Sequence, residues 1–149
     1  MRIRNGEVPD SLNPKIWWIH IGTNDIRFFC SDEHITLGIM HIVEEVKRRK
    51  PNAAIVVNAI LPRSDINKPS WHKIENVNKG LKLSVEGMND DNVYFFSAFD
   101  AFYDESTQNP KRRLHVGSTH LNAAGYQVWA KSIIEWTKEN LNINLSAYN

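Results

Sequence analysis

The chain has 149 residues, 42% of them hydrophobic and 23% charged, with a formal net charge of +1. That mix describes one globular domain of modest size and excludes a disordered or low-complexity chain. The near-neutral balance gives no electrostatic attraction to nucleic acid or to an acidic membrane surface, and the short basic runs Lys47 to Lys50 and Lys111 to Arg113 read as solvated surface.

The first residues, Met1 to Glu7, carry charge but no following apolar run, so the reading is neither a secretory signal nor a membrane span, and a cytoplasmic chain is expected. Pro14-Lys15 opens the apolar run Ile16 to Ile21, rich in β-branched and aromatic residues and closed by Gly22, which predicts a strand buried on both faces. The single cysteine, Cys30, excludes an internal disulfide and reads as a small buried hydrophobe. Ser31-Asp32-Glu33 supplies an N-cap and first-turn acids, and Ile35, Ile39, Ile42, Val43 and Val46 follow at helical spacing up to Pro51. The run Ala54 to Leu61, ending at Pro62, predicts a second buried strand. Ser70 then caps a helix with Ile74, Val77, Leu81 and Val85 on its apolar face, ending at Gly87. Val93 to Phe96 forms a third strand, and an irregular segment runs from about Asp100 to Thr119. Asn122 caps a last helix whose apolar positions include Tyr126, Trp129, Ile133 and Leu141. Five tryptophans provide bulky core side chains.

Alternating buried strands and amphipathic helices specify an α/β fold: a parallel sheet with helices on both faces, a three-layer α/β/α sandwich forming one domain over residues 1–149. In open parallel sheets chemistry sits beyond the carboxyl ends of the strands. Polar clusters occupy two candidate places, Gly22-Thr23-Asn24-Asp25 after the first strand and Ser118-Thr119-His120-Leu121-Asn122 before the last helix. No phosphate-binding glycine loop is present, and His20, His34, His41, His72 and His115 show no metal-ligand spacing, which points to structural or surface roles for all five.

Gly22-Thr23-Asn24-Asp25 resembles the third sequence block of the SGNH/GDSL hydrolases, and His120-Leu-Asn-Ala-Ala-Gly-Tyr126 resembles their final histidine block. Asn5-Gly6-Glu7 and Leu61-Pro62-Arg63 are similar to the platelet-activating factor acetylhydrolase subfamily. The resemblance implies the flavodoxin-like SGNH fold and hydrolysis of carboxylic, acetyl or acyl, esters of small molecules without a metal or organic cofactor. It implies His120 as general base and Asn24 as oxyanion donor, with Gly22, Thr23 and Asp25 shaping and bracing the turn. Read without the resemblance, Asn24 and Asp25 are ordinary turn residues and His120 a helix-start residue.

The departures from that pattern are specific. Fifteen residues precede Ile16 and contain no Gly-Asp-Ser, so the expectation is a chain lacking the nucleophilic serine, the first strand and the second oxyanion block. Gly117 stands three residues before His120, where the family places an acid. Ser118 is poorly placed for in-line attack, and Asp100, Asp104, Glu105 or a backbone carbonyl remain as candidates to orient His120. Two readings follow: a truncated and inactive hydrolase domain, or a non-catalytic remnant that binds an acyl or carbohydrate ligand or a protein. A missing neighbour beside Ile16 to Ile21 leaves an apolar edge only partly shielded by Met1 to Asn13, so self-association is expected. A flavodoxin-like binding module with chance motifs is a third, weaker fit.

Overall fold

The computed structural model describes residues 8–9, 11–28, 30–63, 68–117 and 120–141, the side chains of 68–70 excepted. Asn5-Gly6-Glu7, Ser118 and Thr119 lie outside the described residues. The chain folds as two compact units, one from its beginning to Ile60 together with Lys68–Ser97, the other from Leu61–Asn67 and Ala98–Asn149.

The first unit is built on a parallel three-stranded sheet in the order β1 (Ile16–Ile19), β2 (Ala54–Asn58) and β3 (Val93–Phe96). Ile16 pairs with Ala54, and Ile55 with Val93. Strand β2 is central, and Ile55, Val56 and Val57 are fully buried, which is why its sequence is apolar without alternation. Its last residue, Asn58, is buried but satisfied: its Oδ1 accepts from Trp18 Nε1 at 2.9 Å and its Nδ2 donates to the Ala59 carbonyl at 2.6 Å. Strand β1 is half-buried rather than enclosed on both faces, and among the described residues no strand pairs with its outer edge. Ile16–Ile19 also carries none of the charges or prolines with which edge strands commonly discourage pairing.

Helix α1 (Asp32–Arg49) follows its sequence signals. The Ser31 hydroxyl accepts from the His34 amide at 3.3 Å, acids occupy the first turn and bases the last, and Ile35, Ile39, Val43 and Val46 are buried. Helix α2 (Lys68–Gly87) begins two residues before Ser70, so Ser70 is not its cap; Pro69 fits the first turn because no intrahelical N–H is needed there. Ile74, Val77, Leu81 and Val85 are buried as their spacing requires. Helices α1 and α2 pack on each other, as two successive right-handed crossovers in one direction across the sheet demand. Beyond the end of β2, Asn78 of α2 takes the place of a strand neighbour for Ile60: its Oδ1 accepts from Ile60 N at 2.7 Å and its Nδ2 donates to Ile60 O at 2.9 Å.

The basic run at the end of α1 is more than solvated surface. Lys50 is buried, donating to Pro9 O at 3.0 Å and Asn13 Oδ1 at 3.3 Å, and Lys47 is paired with Asp90. Arg48 and Arg49 both bond Glu45 at 2.9 Å, and these bonds push its carboxyl down to about 2. Cys30 is exposed, not buried: it lies on the connection ahead of the α1 N-cap, outside the periodicity that turns side chains into the core.

In the second unit the stretch expected to be irregular is ordered in short pieces. Helix α3 (Phe99–Phe102) leads to β4 (Tyr103–Asp104), antiparallel to β5 (Asn109–Pro110). A 3-10 turn at Arg112–Leu114 is followed by β6 (His115–Val116), which pairs with β7 (His120–Leu121) ahead of α4 (Ala123–Asn140). Pieces of two to four residues are shorter than one hydrophobic period, so no pattern marks them. Lys111 donates to the carbonyls of Asp100 and Ala101 at 3.1 and 3.2 Å, binding the β5 end to α3. In α4 Leu141 is buried at the C-cap and Trp129 and Ile133 are half-buried, but Tyr126 is 56% exposed. Gly125 is the buried residue of the first turn, so the close approach of the backbone there, rather than a bulky side chain, defines the packed face.

Candidate functional site

In the first unit the chain turns sharply beyond β1. Gly22 has φ +97°, a backbone conformation L side chains rarely adopt, and its carbonyl accepts from Asp25 N at 3.1 Å and Ile26 N at 3.3 Å. A Cβ there would also lie 2.9 Å from Ile39 Cδ1 and 3.0 Å from Ile60 Cδ1. The dihedral requires glycine, and any side chain there would also have to displace the ends of Ile39 and Ile60. Asp25–Arg27 form a 3-10 turn with Ile26 buried beneath it, and Thr23 is half-buried. Asn24 occupies the N-cap position, yet its side chain makes no cap hydrogen bond and is exposed. The ordinary turn role of an asparagine is therefore unused here, and the amide is presented to solvent at the carboxyl end of the sheet. His20, half-buried just before the turn, has its pKa pushed down by desolvation, which favours the neutral ring.

In the second unit His120 is exposed on β7, its backbone paired with Val116 of β6. Asn122 fixes this segment from both ends. Its Oδ1 accepts from Gly125 N at 2.9 Å, capping α4, and its Nδ2 donates to Arg113 O at 2.8 Å. A Cβ on Gly125 would overlap the Leu114 carbonyl oxygen, so only glycine lets α4 start this close to the 3-10 turn. Sequence reasoning passed over Gly125. Its signal was a poor helix former inside the first turn, which usually has a packing cause.

Among the described residues, no carboxylate hydrogen-bonds the His120 ring. Asp104 is committed to its own turn, accepting from Ser106 Oγ at 2.6 Å and Ser106 N at 3.0 Å, and the Ser106 bond holds its pKa below the usual range. Gly117, in the place of the family's acid, has φ +63° with open space around it. His34 and His72 are exposed, bonded to Ser31 Oγ at 3.0 Å and Glu75 at 3.2 Å. His115 is buried, its Nδ1 3.2 Å from Lys111 O and its ring edge-on to Phe102. Among the described residues no three His, Cys, Asp or Glu side chains come together as a metal site, and no helix is long and apolar enough to cross a membrane.

Comparison with known proteins identifies the family of the chain. The pattern of the GDSL-like Lipase/Acylhydrolase family matches residues 1–128. The chain is 33% identical over 87 residues to the platelet-activating factor acetylhydrolase IB subunit beta homolog of Drosophila melanogaster, covering 58% of this chain and 37% of that protein. It is 34% identical over 84 residues to subunit alpha2 of the Homo sapiens acetylhydrolase, covering 56% and 35%. The chain thus spans little more than a third of these curated relatives. Among solved structures, it is similar to one from Streptococcus pneumonia named for platelet activating factor, with TM-score 0.69 and 26% identity over 82% of this chain and 59% of that one. The fold is shared with a carbohydrate esterase family 3 protein from Talaromyces cellulolyticus, with TM-score 0.68 and 18% identity over 88% and 61%. The α/β fold read from the sequence is that of these neighbours, and the chain belongs to the GDSL-like lipase/acylhydrolase family.

Proposed function

We propose that the chain carries the oxyanion-binding and general-base parts of a carboxylic ester hydrolase site, without a nucleophile of its own. The observation that carries this reading is the Gly22 turn with an exposed Asn24 whose amide is not used as a cap. When a nucleophile adds to an ester carbonyl, the oxygen gains negative charge, and an amide N–H aimed at it stabilises that charge; removing one such donor typically costs about 10²–10³ in rate. His120 takes the nucleophile's proton and returns it to the departing alkoxide. Gly22, Thr23 and Asp25 hold the turn. The relatives' names, acetylhydrolase and carbohydrate esterase, support an acetyl or acyl ester of a small molecule as the substrate class.

The glycine at 117 favours a second reading, a non-catalytic remnant that binds an acyl or carbohydrate ligand or a protein, because the acid that would orient His120 is replaced. Both readings expect negligible turnover from the isolated chain. Hydrolysis of a short-chain p-nitrophenyl ester by the chain, a His120→Ala variant and a denatured control tests this. Equal rates in all three support it; turnover lost only in the variant shows a nucleophile within the chain and sinks it. Adding the upstream coding sequence separates the readings, since activity that appears with a Gly-Asp-Ser block is the hydrolase outcome. The uncharged outer edge of β1 supports self-association of this chain, which a single monomeric light-scattering peak would overturn.

A further inference from the structure

We propose that a cleft beside the Gly22 turn binds the acyl chain of a neutral, medium-length ester; this rests on the ester reading above and adds to it the length and charge of the ligand. The cleft measures about 250 Å³ and its walls include Ile21, Ile35, Ile39 and Ile42. At about 30 Å³ for each water-sized group, that is room for on the order of eight such groups, a chain of roughly six to eight carbons rather than an acetyl group alone.

Two glycines give the cleft its position and its depth. Gly22 belongs both to the cleft wall and to the turn that presents Asn24, so a chain in the cleft has its head group at that turn. Gly38 lines the cleft from α1, and a Cβ added there would meet nothing within 4 Å. Glycine inside an 18-residue helix is destabilising relative to alanine, and here its effect is to leave the middle of the wall open.

The rim sets the charge. Asp25 lines the cleft together with His34, whose Nδ1 is bonded to Ser31 Oγ at 3.0 Å. The carboxylate of a free fatty acid would meet the like charge of Asp25, whereas a neutral ester would not. Cys30, the only cysteine in the chain, is exposed and lines the same cleft, and its thiol therefore reports occupancy directly.

The test is the rate at which the intact chain's Cys30 reacts with a disulfide reagent such as DTNB, in methyl hexanoate or methyl acetate at equal concentration. Each buried methylene tightens binding about fourfold, so the two esters differ by on the order of a hundredfold in affinity. Methyl hexanoate is expected to slow the reaction at least fivefold where methyl acetate leaves it unchanged. Gly38→Leu fills the cleft and is expected to abolish the protection; Gly38→Ala, checked with it for native circular dichroism, keeps it. No slowing by methyl hexanoate in the folded chain, or equal slowing in Gly38→Leu, overturns the proposal. The readout needs no turnover, which the isolated chain is not expected to show. The cleft therefore stands or falls on Cys30 protection, while the roles of Asn24 and His120 stand or fall on the ester assay with the upstream block restored.

Discussion

Gly125 and Leu114 meet backbone to backbone: the space a Cβ on Gly125 would take is filled by the Leu114 carbonyl oxygen. Gly125→Ala must push the start of α4 away from the 3-10 turn, and overpacking of this kind costs about 1–3 kcal/mol. Gly38→Ala is the contrasting case, with open space and a helix interior, and it should stabilise by roughly 0.5–1 kcal/mol. Urea unfolding of both variants is expected to show opposite shifts in midpoint at unchanged slope.

Asn122 caps α4 and clamps Arg113 with the two ends of one amide. Asn122→Ala should cost about 1–2 kcal/mol. The local signature is faster hydrogen exchange at Gly125, whose amide loses its acceptor; unchanged exchange there would contradict the capping role.

Asn78 meets both backbone groups of Ile60. Removing its side chain leaves a buried N–H and C=O short of those partners, so Asn78→Ala should destabilise by about 1–3 kcal/mol. Asn78→Asp should also destabilise, because a carboxylate can replace the acceptor but not the donor. Thermal unfolding of the two variants measures this.

Stability should fall in two separate acid windows. The His20 pKa is lowered on folding, so the unfolded chain binds more protons below the ordinary value of 6.5, and stability declines as pH drops through it. Glu45, lowered from 4.5 to about 2 by Arg48 and Arg49, contributes stability that is present above 4.5 and is lost as pH falls toward 2. His20→Gln should flatten the first slope and Glu45→Gln the second in denaturant titrations at stepped pH.

The sequence revealed most where burial is periodic. Both long helices of the first unit and the three strands were legible because Ile35, Ile39, Ile74, Val77 and Leu81 recur with the helical period and β2 is apolar throughout. Residues 99–121 were not, since α3 and β4 to β7 are held by particular bonds such as Lys111 to Ala101. Cys30 and Lys50 were misread for a related reason. Residue type predicts average burial, but one sits on a connection and the other finds two acceptors. At the candidate site, Gly22 and Asn24 stood out as a motif, whereas the fit of Gly125 against Leu114 depends on a contact that appears only once the chain is folded.

The register of the sheet bears on the order in which the molecule forms. Ile16 meets Ala54, and Ile55 meets Val93, so each pairing joins residues about forty positions apart, with a whole helix between them. No hairpin can seed such a sheet, and the entropy of closing each crossover must be spent before any ladder bond compensates it. Helices α1 and α2, whose internal contacts are local, are therefore the natural early structure, with both strand pairings added late. The Gly22 turn depends on that late step, because Ile39 and Ile60, the side chains that confine it, come together only when the crossover has closed.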